Sequence, residues 1–171
     1  PKFEVVVKPN EWAKAGREQA RAAAATTPTK QLQQKFWTAL IEHLAAKAPQ
    51  IRPQKPRPQH WLNNSIGRAG FGLNPTANTR DQRLGVELWI PGAEAKQHFA
   101  KLSAQKQDIE TKLGFELDWQ ELPDAKAVRI ASWYPNASIE DEQRWHEYID
   151  WLTQRLVKMD AVLRPIVKAL P

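Results

Sequence analysis

Near the C-terminus the apolar residues Trp145, Ile149, Leu152, Leu156, Met159, Leu163, Ile166 and Leu170 recur at alternating spacings of four and three. An α-helix turns once in about 3.6 residues, so this spacing lays the whole set along one stripe that has to be buried. Two arrangements bury it. The helix lies across a sheet of its own chain, or two copies pair in a homodimer with Trp145, Ile149, Leu152, Leu156, Met159 and Leu163 as the interface. Ser138 and Asp141 read as the capping box that opens this helix. Pro165, which has no amide hydrogen, is expected to kink or end it near Ala161.

The remaining segments supply something for the stripe to cover. Thr27 and Pro28 are a helix start, with Leu32, Phe36, Leu40, Ile41 and Leu44 inward until Pro49. From His60 to Ile90 the period drops to two: residues 60–66 alternate, and "LGVELWI" sets Leu84, Val86, Leu88 and Ile90 on one face. Between them, Gly67, Gly70, Gly72 and the pair Asn74-Pro75 predict tight turns joining two or three antiparallel strands. A helix is expected over Ala93 to Leu113, stopped by Gly114. "FELDWQEL" and "KAVRIASWY" then flank Pro123-Asp124-Ala125 as a hairpin. Strand runs with short turns, separated by helices, predict an α+β fold: a mainly antiparallel sheet built from hairpins, with three packing helices, the last one long. The domain reading is an N-terminal strand ("KFEVVV") and an Asn10-capped helix in residues 1–27, forming a junction from a preceding domain, and one α+β domain over 28–171.

Composition removes several function classes. With no Cys, thiolate metal sites, disulfides and Cys nucleophiles are absent. His43, His60, His98 and His146 lack metal-ligand spacing, and no cofactor motif is present: "GRAGFG" lacks the Lys-Ser/Thr ending of a phosphate-binding loop and its strand-to-helix context. Without a signal peptide or long apolar run, a cytoplasmic protein with no membrane partner is expected. Asp81 with Glu94 and Lys96, or Asp118 and Glu121 with Asp124 and Lys126, are the sets nearest to a metal-dependent nuclease, but they fall at turns and helix ends where solvated charges are ordinary. No catalytic residue is assigned.

Charge is more informative. Between Ile51 and Arg83 the cations Arg52, Lys55, Arg57, Arg68, Arg80 and Arg83 face Asp81 alone, which places +5 of the chain's net +6 in that stretch. Gln59, His60, Trp61, Asn63, Asn64 and Asn78 accompany them, side chains able to bond base edges or stack. Pro53, Pro56 and Pro58 hold the lead extended. One reading is a DNA- or RNA-binding surface made of Arg52, Lys55, Arg57, Gln59, His60, Trp61, Asn63, Arg68, Asn78, Arg80 and Arg83. The other is a connector whose cations bond loop carbonyls.

The strings "RPQKPRPQHWLNNSIGRAGFGL", "TANTRDQRLGVELWI" and "WQELPDAKAVRIA" together resemble a bacterial family of unknown function found as the C-terminal half of proteins whose N-terminal half is a PD-(D/E)xK nuclease-like domain. The resemblance covers about Lys30 to Leu170, and "PKFEVVVKPNEW" is similar to the junction after the nuclease-like half. It implies a nuclease-like partner domain in the same full-length chain, which would hold any metal-dependent cleavage, and it carries over no catalytic residue. The expectation is a non-catalytic accessory domain that binds nucleic acid, or alternatively an oligomerisation or protein-interaction module built on the heptad helix.

Overall fold

In the computed structural model, which describes residues 13–18, 20–21 and 27–171, the apolar stripe is buried within its own chain. The expected N-terminal strand, the Asn10 cap and the junction to a preceding domain lie outside the described residues. Residues 13–18 and 20–21 are helical and exposed.

Helix α1 spans Pro28–Lys47, started by the Thr27 hydroxyl, which accepts from Lys30 N at 3.4 Å, and by a proline whose missing amide hydrogen would have had no partner there. It buries Phe36, Trp37, Leu40 and Leu44 completely. Strands β1 (Gly72–Asn78) and β2 (Arg83–Pro91) follow, then helices α2 (Ala95–Ser103) and α3 (Lys106–Leu113), strands β3 (Asp118–Gln120) and β4 (Ala127–Pro135), and helix α4 (Trp145–Ala169). The four strands form one antiparallel sheet in the order β1-β2-β4-β3. This is the α+β fold with hairpins and a long last helix that the periodicities predict.

Register assigns the two faces of the sheet. Leu84, Val86, Leu88 and Ile90 of β2 stand opposite Tyr134, Ser132, Ile130 and Val128 of β4. With Leu73, Pro75 and Ala77 of β1 and Trp119 of β3 they make the face that joins the helices in a single core. Leu152, Leu156, Met159 and Leu163 of α4 are fully buried in that core, and Ile149 is 8% exposed. The side chains expected along a homodimer seam lie against their own sheet, and Trp145 packs edge-on against Phe36 with its Nε1 donating to Ile139 O at 2.7 Å.

Several local expectations fail for identifiable reasons. Residues 93–113 are two helices, because Gln105 N bonds Leu102 O at 2.9 Å and this tighter turn interrupts the helical ladder. Gly114, at φ 80°, closes the second as predicted. Asn74-Pro75 lies inside β1, and the turn comes at 79–82, where Asn78 Oδ1 accepts from Asp81 N at 3.1 Å. Pro75 is tolerated because the missing hydrogen would point away from β2; on that side its carbonyl accepts from Leu62 N at 2.9 Å. Segment 60–66 follows that outer edge, yet pairs with β1 only at the bridges Trp61–Thr76 and Ser65–Gly72.

Ser138 does not cap α4. Its hydroxyl accepts from Glu140 N at 3.2 Å, and a short 3₁₀ turn, Glu142–Arg144, precedes the helix. The helix start is instead held by Glu147, which takes Arg144 at 3.0 Å and the Tyr134 hydroxyl of β4; Arg144 above all, then Tyr134, holds its carboxyl down at about 2. Pro165 does not end α4 either. It sits on the exposed side, and the burial of Leu163 and Val167 on the other side carries the helix on to Ala169.

Candidate nucleic-acid interface

The face of the sheet turned away from the helices carries the site. Along β2 it presents Arg83, Gly85, Glu87 and Trp89; along β4, Arg129, Ala131 and Trp133; along β1, Asn74, Thr76 and Asn78; and from β3, Asp118 and Gln120. Among the described residues no helix covers it. A strand turns alternate residues to one side, so each is the neighbour of a core residue; Asn74, Thr76, Gly85, Glu87 and Ala131 are themselves buried, and the Arg and Trp side chains are partly exposed.

Gly85 is required here by space. A Cβ on it would lie 2.3 Å from the Trp133 ring, which lies across the β2 backbone. The Arg83 guanidinium sits 3.8 Å from the centre of that ring, and Arg129 lies between Trp133 and Trp89, at 5.7 and 5.6 Å. Trp133 Nε1 donates to Asp118 at 2.9 Å, which fixes the ring's edge. The result is a row of indole and guanidinium planes, Arg83, Trp133, Arg129 and Trp89, partly exposed on the sheet.

Beside Trp89 the sheet and the segment leading to it enclose a hollow of about 280 Å³, walled by His60, Trp61 and Trp89 and floored by Glu87 and Arg129. Glu87 and Arg129 are joined at 2.7 Å. Burial raises the Glu87 carboxyl above its ordinary value, against the opposing pull of Arg129 and Arg83. Partial burial, with Arg129 as the second cause, lowers the His60 imidazole below its ordinary 6.5, which favours the neutral ring. His60 packs edge-on against Trp61 at 4.6 Å, and Trp61 Nε1 donates to Asn63 Oδ1 at 3.2 Å. Position 60 is itself fixed from the core, because Trp37 Nε1 donates to Gln59 O at 2.8 Å.

The sequence-predicted residues are thus divided. His60, Trp61, Asn63 and Arg83 reach the open face, and Asn78 stands at its end, engaged with Asp81 at 2.9 Å. Lys55, Arg57 and Arg80 are exposed, the first two on the extended lead and Arg80 in the β1–β2 turn. Arg52 is exposed as well, with Nε donating to Pro49 O at 3.3 Å. Gln59 contributes its backbone carbonyl. Arg68 stands elsewhere: its guanidinium donates to Val167 O at 3.1 Å, Leu170 O at 2.5 Å and Pro171 O at 3.1 Å, closing the end of α4. A cation among terminal carbonyls satisfies groups the helix cannot, and it complements the helix dipole. Arg68→Ala should cost about 1.5–3 kcal/mol, seen as a lower urea midpoint with an unchanged slope; an unchanged midpoint would show that these bonds do not hold the helix end.

Asn74, Glu87, Trp89, Arg129 and Trp133 were absent from the sequence-based set. The signal for the last four was present as the polar and aromatic residues alternating with the core positions in "RLGVELWIP" and "AVRIASWYP", and Asn74 alternates likewise with Leu73 and Pro75 in "GLNPTAN". As for metals, no cluster of three or more His, Asp or Glu suited to a cation occurs among the described residues. Asp118 is engaged by Trp133 and Gln120, and Lys96 donates to the carbonyls of Glu121 and Leu122. No described helix is long and apolar enough to cross a membrane.

Comparison with known proteins adds a family. The model of a family described as "Domain of unknown function (DUF4268)" matches residues 32–167. No curated protein matches the chain. A solved structure titled "Structure of the HopA1-SchA Chaperone-Effector Complex" is similar at 13% identity over 71% of this chain and 92% of that one, with a TM-score of 0.34, too low to carry an argument about fold or function.

Proposed function

We propose, for a chain that belongs to the DUF4268 family of domains of unknown function, a non-catalytic domain that binds single-stranded nucleic acid across its open sheet face. The observation that carries the reading is the row Arg83, Trp133, Arg129 and Trp89. Bases stack on indoles and guanidinium planes irrespective of sequence, and a duplex keeps its bases stacked on each other and unavailable. The cations on this face are largely matched by Glu87 and Asp81. Phosphate contact therefore falls to the exposed rim, with Lys55 and Arg57 on one side and Arg80 on another. In the same reading the domain acts in the cytoplasm of a bacterium as the accessory of a nuclease-like domain in the same full-length chain, presenting a strand to it.

Fluorescence anisotropy with a labelled twelve-base single strand tests this. Binding should exceed that of the matching duplex and weaken as salt rises. Trp89→Ala should lower affinity roughly five- to 150-fold, the range for losing one base stack. Arg57→Glu should weaken binding less and reduce the salt slope. Absence of single-strand binding at low salt would sink the reading.

A further inference from the structure

We propose that the hollow between His60, Trp61 and Trp89 is a guanine site, an inference that rests on the single-strand reading and names the base that the face selects. Its volume, about 280 Å³, lies just below the roughly 300–1,000 Å³ of pockets for drug-sized ligands, which suits one base better than a whole nucleotide. Indole and imidazole walls give that base planes to stack on.

The floor decides which base. Glu87 is 8% exposed and, among the described residues, is paired only with Arg129. An ionised carboxylate accepts and never donates, and it has room for several donors. A ligand that fills this hollow cuts Glu87 off from water, so it has to bring donors of its own. Guanine presents two adjacent donors, N1–H and the N2 amino group, with the O6 acceptor beside them. Adenine, cytosine, and thymine or uracil each place an acceptor next to their single donor group on that edge, and that acceptor would confront the carboxylate. Arg129 adjoins Glu87 and can donate to O6 or N7, the pairing guidinium groups make with guanine. Asn74, whose Oδ1 is held by Asn64 N at 3.0 Å, leaves its amide NH₂ as one more donor at the rim. Because Glu87 and Arg129 balance each other, the floor suits a neutral polar ring and has no preference for a charged one.

The test uses labelled nine-base thymidine strands carrying one central guanine, hypoxanthine, adenine or cytosine. The guanine strand should bind about tenfold or more tighter than the adenine and cytosine strands. Hypoxanthine, which lacks the N2 amino group, should fall between. Glu87→Gln, similar in shape but with an amide in place of the carboxylate, should bring the guanine strand down to the level of the adenine strand. Equal binding of all four strands by the wild-type protein would overturn the guanine assignment and leave the single-strand reading standing; no binding of any strand overturns both. Full guanine preference in Glu87→Gln would also overturn the assignment, and the hypoxanthine comparison needs no variant.

Discussion

Trp37→Ala should destabilise the domain by about 3–5 kcal/mol, a large share of a small domain's total stability. The indole is fully buried and packs edge-on against Phe36 at 5.1 Å. Its Nε1 also donates to Gln59 O across an otherwise apolar layer. Removing it leaves a cavity and an unpaired carbonyl together. Trp37→Phe should cost less, because the ring volume is largely kept and mainly the hydrogen bond is lost. Urea denaturation followed by circular dichroism measures both. A loss under about 1 kcal/mol in the alanine variant would contradict the placement of Trp37 at the joint between α1 and the lead to the sheet.

Glu87→Ala should cost about 3 kcal/mol, the low end for breaking a buried ion pair, since Arg129 retains some exposure. The loss comes mostly from stranding the guanidinium, so Glu87→Gln, whose amide oxygen still accepts from Arg129, should be much milder. The pH dependence separates the two contributions. Burial raises the Glu87 pKa in the folded state, so the protonated carboxyl favours folding. That contribution is complete below the ordinary value near 4.5 and is lost as pH rises through the raised folded value. Glu87→Gln, which does not titrate, should lack this part of the stability profile. A variant whose profile matches the wild type from pH 4 to 7 would contradict a raised Glu87.

Much of the fold was legible because local chemistry and periodicity agreed with it. Thr27 and Pro28 mark α1 whatever follows, and the alternation of Leu84, Val86, Leu88 and Ile90 can be satisfied only by a strand with one buried face. Pro165 misled because a proline's local cost is weighed against burial of Leu163 and Val167, which depends on the sheet beneath them. Ser138 misled because the competing partner, Glu147 with Tyr134 and Arg144, is assembled from β4 and α4 together. The candidate site was legible in part for the same reason. His60, Trp61, Asn63 and Arg83 stand close in sequence to the basic lead. Trp89, Arg129 and Trp133 join them only through the register of β2 with β4, which places Gly85 opposite Trp133 and Trp89 opposite Arg129. Arg68 resembled its basic neighbours in sequence, but the carbonyls it serves lie at the far end of the chain.

The central claim is that the tryptophan row of the open face, and neither the basic lead alone nor the long helix, meets the nucleic acid. The indole N–H signals in a nitrogen–proton correlation spectrum report each tryptophan separately. On adding a twelve-base single strand at low salt, the signals of Trp61, Trp89 and Trp133 should shift together and saturate at one ratio, while those of Trp37 and Trp145, held on Gln59 O and Ile139 O, stay in place. Binding that leaves Trp89 and Trp133 unmoved would contradict the account.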